Sequence, residues 1–295
     1  MPWLILHIES DEQHCTAIED ALLECSAAAV TLQDSADQPL FDEPDTESAK
    51  LWQRVQISGM FDAAVDIDAI MRQLQSQPGL DIGRHRVEIL EDKDWVRSWM
   101  DSYQAMPMGG RLWICPSWLQ PPDQAAVNLV LDPGMAFGTG THPTTAMCLR
   151  WLDAQSLAGK TIIDFGCGSG ILAIAALLLG AESACGTDID PQAIAASQSN
   201  AQRNQVDENR LHLCFPEDMT DVEPADIVLA NVLAGPLIKL ATTIGALVKP
   251  GGHLVLSGIL QQQAGQVSAA YPDFDFAAPR EEDGWVLLTA TRRVV

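Results

Sequence analysis

Three glycines, Gly166, Gly168 and Gly170, stand between an apolar run from Thr161 to Phe165 and a second from Ile171 to Leu179. A strand, a glycine turn and a helix in that order bring free N–H groups and unobstructed backbone to one point, where a ligand can approach closely. The spacing is GxGxG rather than the GxGxxG of dinucleotide-binding turns, which argues against a nicotinamide dehydrogenase. A second predicted strand, Ser183 to Thr187, ends in Asp188. An acid there can accept hydrogen bonds from both hydroxyls of a ribose. A third, Ala225 to Asn231, ends in an amide that carries both an acceptor and a donor, suited to orienting an amine nucleophile or a cofactor. Other polar residues nearby have plainer readings. Asp190 before Pro191 and His142 before Pro143 fit helix caps, and Cys167 fits a small residue in a tight turn rather than a nucleophile.

Strand ends converge on one crevice only in a doubly wound sheet, so the alternating strands and helices beyond residue 105 predict an α/β fold. Predicted strands near Leu112–Cys115 and Val127–Leu131 lead into it. Pro143 starts a helix with Thr145 in its first turn, and Thr139 to Thr145 would form a glycine-flexible flap. The N-terminal part reads differently. Trp3 to Ile8 alternates as a strand, and Ser10 with Gln13 suggests a capping box for a helix whose apolar face is Cys15, Ile18, Leu22 and Cys25. A strand at Ala29–Gln33, an acidic loop over 34–50, a strand at Val55–Met60, a helix facing inward through Ile67, Ile70, Met71 and Leu74, and a strand at His85–Glu91 follow. That order is a ferredoxin-like α+β domain. Trp95 and Trp99 are four apart in a predicted linker helix, giving three parts: 1–91, 92–104 and 105–295.

The chain has 295 residues and a net charge of −23 from 40 acids against 17 Lys and Arg. That field repels phosphate backbones and favours basic partners, so direct nucleic-acid binding is not expected. Residues 1–101 are especially acidic and lack any chemical motif, which suits a recognition module. Seven cysteines without a Cys-x-x-Cys pair fit neither a disulfide framework nor a zinc site. The start of the sequence has no basic leader, and the longest apolar run is too short to span a bilayer. Reduced thiols, no metal, no membrane and a cytoplasmic location are the expectations.

Asp164-Phe-Gly-Cys-Gly-Ser-Gly170 resembles the first motif of class I S-adenosylmethionine-dependent methyltransferases. Asp132-Pro-Gly-Met-Ala-Phe-Gly-Thr-Gly-Thr-His-Pro-Thr-Thr145 is similar to the signature of the bacterial PrmA family, which methylates large-subunit ribosomal protein eleven. The likeness extends through Leu112-Trp-Ile-Cys-Pro-Ser-Trp118, Gly186-Thr-Asp-Ile-Asp-Pro-Gln-Ala193, Asn231-Val-Leu-Ala-Gly-Pro236 and the opening Met-Pro-Trp. The resemblance implies a Rossmann-like seven-stranded methyltransferase domain after the smaller ferredoxin-like one. It also implies S-adenosyl-L-methionine as cofactor, held by Thr145, Gly166, Asp188 and Asn231, and a basic ribosomal protein as partner, modified on lysine and N-terminal amines. It assigns no acid or base. A nucleic-acid amine methyltransferase would follow its strand-end Asn with two prolines and an aromatic that stacks on a flipped base; Asn231-Val-Leu-Ala lacks them. A protein that binds the cofactor without turnover is the remaining alternative.

Overall fold

The computed structural model describes residues 3–11, 13–34, 54–77, 80, 82–90, 104–132 and 140–294. The expected acidic loop, beyond Asp34, and the linker helix with Trp95 and Trp99 lie outside these residues. The chain forms two compact units, Met1–Ser102 and Tyr103–Val295.

In the first unit the elements are β1 (Trp3–Asp11), α1 (Cys15–Glu24), β2 (Ala29–Asp34), β3 (Arg54–Asp62), α2 (Ile67–Ser76) and β4 (His85–Leu90). Every pairing is antiparallel in the order β2-β3-β1-β4, the ferredoxin-like arrangement. β3 alternates buried and accessible residues along its length, as a strand with one covered face must. Leu6, Ile8, Val55, Ile57 and Phe61 meet Ile18 and Leu22 of α1 and Ile70 and Leu74 of α2 in one core. The opposite face carries a polar network in which the His7 ring meets Ser58 Oγ at 2.8 Å and Glu88 Oε2 at 3.3 Å. The capping box expected from Ser10 is not formed. β1 runs on through Ser10 to Asp11, and the Asp11 carboxylate accepts from the Gln13 and His14 backbone N–H groups instead. Helix α1 therefore begins at Cys15, because an aspartate turn precedes it.

The second unit opens with β5 (Met106–Pro107), β6 (Leu112–Cys115) and β7 (Val127–Val130), which make a separate three-stranded sheet rather than joining the main one. The main sheet is built from β8 (Thr161–Phe165), β9 (Ser183–Thr187), β10 (Leu211–Cys214), β11 (Ala225–Asn231), β12 (Val248–Leu260), β13 (Phe274–Phe276) and β15 (Trp285–Arg292). Its order is β10-β9-β8-β11-β12-β15-β13, with β14 (Arg280–Glu282) added on β15. β8 to β12 are mutually parallel, and β15 runs antiparallel between β12 and β13. The helices are α3 (Pro143–Asp153), α4 (Ile171–Leu178), α5 (Pro191–Arg203), α6 (Ala234–Lys239), α7 (Ala241–Ala246) and α8 (Ala264–Ala269). Alternate strand residues feed two cores: Ile162, Leu229 and Val255 join Leu149 and Ile174, whereas Ile163, Val228 and Leu254 join Leu237 and Ile244. Helix α4, apolar all round, is buried over Ile171–Leu177.

The chain moves outward from β8 through β9 to β10, then returns to lay β11 on the other side of β8. At such a reversal the carboxyl ends of the two neighbouring strands part and leave a crevice. Gly166 follows β8, and Asn231 ends β11. The second unit thus offers one crevice at the β8–β11 reversal. Among the described residues no helix is long and apolar enough to cross a membrane.

Candidate active site

The turn after β8 is bent by three glycines with φ of +77° at Gly166, +54° at Gly168 and +75° at Gly170. Left-handed backbone of this kind is open to glycine and strained for residues with a Cβ. Hydrogen bonds then fix the turn from β9 and α5. Gly166 and Cys167 both donate to the Thr187 carbonyl, at 2.8 and 3.0 Å. Ser197 donates to the Gly168 carbonyl and Asn200 to that of Ser169, each at 2.9 Å. Asp188, just past β9, receives the Gly168 N–H on Oδ2 at 2.9 Å and the Asp190 N–H on Oδ1 at 3.0 Å. Each carboxylate oxygen keeps further acceptor capacity for a ligand hydroxyl.

On the other side of the crevice, Asn231 Nδ2 donates to Thr145 Oγ1 at 3.1 Å. Thr145 is fully buried in the first turn of α3. Buried Ser257, opposite Asn231 on β12, donates to the Thr144 carbonyl at 3.2 Å. The structure therefore joins two of the expected residues, Thr145 and Asn231, by a direct hydrogen bond. It puts Gly166 and Asp188 together through the glycine turn and the Thr187 carbonyl. The part of the flap that is described, Gly140 to Thr145, leads directly into α3. His142 caps that helix, its ring accepting from the Thr144 N–H at 3.4 Å, and Asp190 caps α5 through the Gln192 N–H at 2.8 Å.

Sequence reasoning quoted Asp164 within a motif without giving it a role. Its Oδ2 accepts the Ala173 N–H of α4 at 3.1 Å, while Oδ1 is buried with no hydrogen-bond partner among the described residues. Burial, together with the charge of Asp188 and against the Ala173 hydrogen bond, pushes the Asp164 carboxyl up to about 7. Burial likewise pushes the Cys167 thiol far up, helped by Asp164. A thiol so held is not a nucleophile. Glycine backbone open to close approach, an accessible acid and a buried carboxyl that ionises more easily beside positive charge together fit a cationic nucleoside cofactor. Among the described residues there is no cluster of three or more metal-ligating side chains.

A parallel sheet reversed at its first strand, with a glycine turn, an acid and an amide gathered at that reversal, places the chain among the class I S-adenosylmethionine-dependent methyltransferases. Comparison along the whole sequence narrows the class. Residues 2–293 match the model of the family ribosomal protein L11 methyltransferase (PrmA), and the chain belongs to that family. The proteins named ribosomal protein L11 methyltransferase in Azotobacter vinelandii and Pseudomonas putida strain GB-1 are 54% and 52% identical over 294 residues, spanning 99% of this chain and 100% of each relative. The crystal structure of ribosomal protein L11 methylase from Lactobacillus delbrueckii subsp. bulgaricus is 30% identical, with a TM-score of 0.59, over 65% of this chain and 100% of that one.

Proposed function

We propose that this chain transfers methyl groups from S-adenosylmethionine to lysine side-chain and N-terminal amines of ribosomal protein L11, the protein after which its relatives are named. The observation that carries the reading is the Asn231–Thr145 hydrogen bond at the β8–β11 crevice. With Nδ2 committed to Thr145, Oδ1 is the amide atom left to accept from an incoming amine. The cofactor supplies a methyl group already activated on a sulfonium, so transfer is an in-line displacement that moves positive charge from sulfur to nitrogen. Gly166 and Asp188 would hold the nucleoside, while Thr145 and Asn231 line the reacting end.

Such a reaction asks the protein chiefly for orientation, which is worth about 7–11 kcal/mol when the reacting atoms are well aligned. The acceptor must also arrive neutral. A lysine at its reference pKa pays about 4 kcal/mol for this near neutral pH, and an α-amine under about 1 kcal/mol. Desolvation in the crevice lowers both costs. The acidic first unit, which has no motif of its own, would hold a basic substrate by charge.

The test is intact-mass spectrometry of ribosomal protein L11 after incubation with this chain and S-adenosylmethionine, with Asp188→Ala in parallel. Methyl-sized mass steps that require Asp188 are expected. Cofactor binding without any step would leave a non-catalytic binder or move the substrate to another protein. For the first unit, deletion of residues 1–91 should keep cofactor affinity and abolish methylation of the protein; unchanged methylation would sink the recognition role.

A further inference from the structure

Asn231 is followed by Val232, and two glycines from distant parts of the sequence close on that residue. A Cβ at Gly166 would fall 2.4 Å from Val232 Cγ1, with only Val232 Cβ, at 4.0 Å, also within reach. A Cβ at Gly258, on β12, would fall 2.3 Å from the Val232 carbonyl oxygen, 2.7 Å from its carbon and 3.2 Å from its nitrogen. One glycine thus accommodates the valine side chain and the other its backbone. Both glycines are left-handed, at +77° and +83°, so each has a conformational reason to stay glycine as well. The side chain of Val232 roofs the start of the glycine turn while its peptide leans on β12.

The neighbouring contacts complete a ring. β11 and β12 are in register at Asn231 and Ser257, Ser257 holds the Thr144 carbonyl, and Thr145 holds Asn231. The cofactor turn, the end of β11, β12 and the first turn of α3 therefore meet around one valine. Methyl transfer needs the reacting atoms about 3–3.5 Å apart, and a misplacement of about 1 Å costs on the order of 100-fold in rate. A side chain wedged between the cofactor turn and the acceptor amide controls that separation.

We infer that Val232 is a positioning residue for methyl transfer: its side chain is a spacer that fixes the Asn231 amide against the Gly166 turn. The inference rests on the reading of Asn231 and Gly166 as the reacting crevice. Removing the spacer lets the amide settle away from its working position while the nucleoside contacts, made by the turn and Asp188, persist. The loss falls on turnover rather than on cofactor affinity.

The experiment uses the full chain, with cofactor affinity by calorimetry, turnover on ribosomal protein L11 and melting temperature without cofactor. Val232→Ala is expected to lower kcat about tenfold and to change the cofactor Kd by less than about threefold. Val232→Thr keeps the shape and should retain kcat within about threefold. Gly166→Ala should lower both kcat and Tm, and adding Val232→Ala should recover part of each, because the second change removes the atom that the first one strikes. An unchanged kcat in Val232→Ala overturns the inference, as does a Kd that rises as much as kcat falls. So does a Val232→Thr as impaired as Val232→Ala, or a double variant with no recovery. If Asp188→Ala and Asn231→Ala both leave Kd and kcat untouched, it is the assignment of the crevice that fails instead.

Discussion

The two ends of the main sheet each carry a carboxylate, and they treat it in opposite ways. At the amino ends of the strands, Asp226 accepts from Lys249 Nζ at 2.9 Å, from the Thr161 N–H at 3.0 Å and from the Thr161 hydroxyl at 2.8 Å. Partial burial alone would raise its pKa, but these hydrogen bonds and the charge of Lys249 outweigh it and hold the group well below the usual carboxylate range. At the carboxyl ends, Asp164 has a single N–H and a buried second oxygen, and its pKa moves the other way. The amino end also opens on the larger recess, about 1250 Å³ and lined by Thr161, Ser183, Arg210, Ala225 and Lys249. Size does not make it the site. Its carboxylate is already satisfied by the protein, whereas the other end keeps one unsatisfied beside a backbone open to a ligand.

The contrast breaks most readily at Asp188. Asp188→Ala should weaken S-adenosylmethionine binding by on the order of 100-fold, the equivalent of two charged hydrogen bonds at typical strength, and calorimetry reads this directly. An unchanged Kd would remove the distinction between the two ends.

The next effect is pH-dependent. The folded Asp164 carboxyl titrates near 7, whereas the unfolded chain releases that proton near pH 4. The folded state is therefore favoured at low pH and loses stability as pH rises from about 4 to about 7. Urea unfolding near pH 5 and near pH 8 should reveal a loss on the order of 2–3 kcal/mol in the native chain that Asp164→Asn lacks. Matching profiles in the two proteins would place the titration elsewhere.

The smallest effect belongs to the amino end. Lys249→Met should cost about 0.5–1 kcal/mol, since the ion pair is partly exposed and screened. The depressed Asp226 contributes stability above about pH 4 and loses it as pH falls further, so the variant should differ little from the native chain in strong acid. Cofactor affinity should stay within about twofold; a larger change would couple the two ends.

Features set by adjacent residues were legible before any coordinates. The glycine turn, the Asp190 and His142 caps and the polar residues ending β9 and β11 each announce themselves within a few positions, because strand, turn and helix signals are local. Even local chemistry can mislead: Ser10 and Gln13 matched a capping box, but Asp11 between them had the better geometry for the turn. Contacts between remote residues were not legible. Nothing near Val232 signals that Gly166 and Gly258 will close on it, since that depends on strand order and on the register of β11 with β12. The role of Asp164 stayed hidden for a related reason, as its burial comes from α4 packing across the strand. The separate sheet of β5, β6 and β7 was missed because its two longer strands read like any others. Its independence rests on tertiary ties such as the Asn204 side chain, which holds both the N–H and the carbonyl of Val130.

β15 follows every other strand of the main sheet in sequence, yet it lies inside that sheet, between β12 and β13 and paired with β14 as well. The sheet cannot assemble in the order in which a ribosome makes it. β13 and β14 are synthesised before the strand that will hold them, and β12 keeps an open edge until β15 emerges. The four strands of the first unit have no such wait, for all of them precede residue 91. During synthesis this chain passes through a state with its acidic unit able to close and its methyltransferase sheet still split, a stage at which an exposed strand edge invites misassembly.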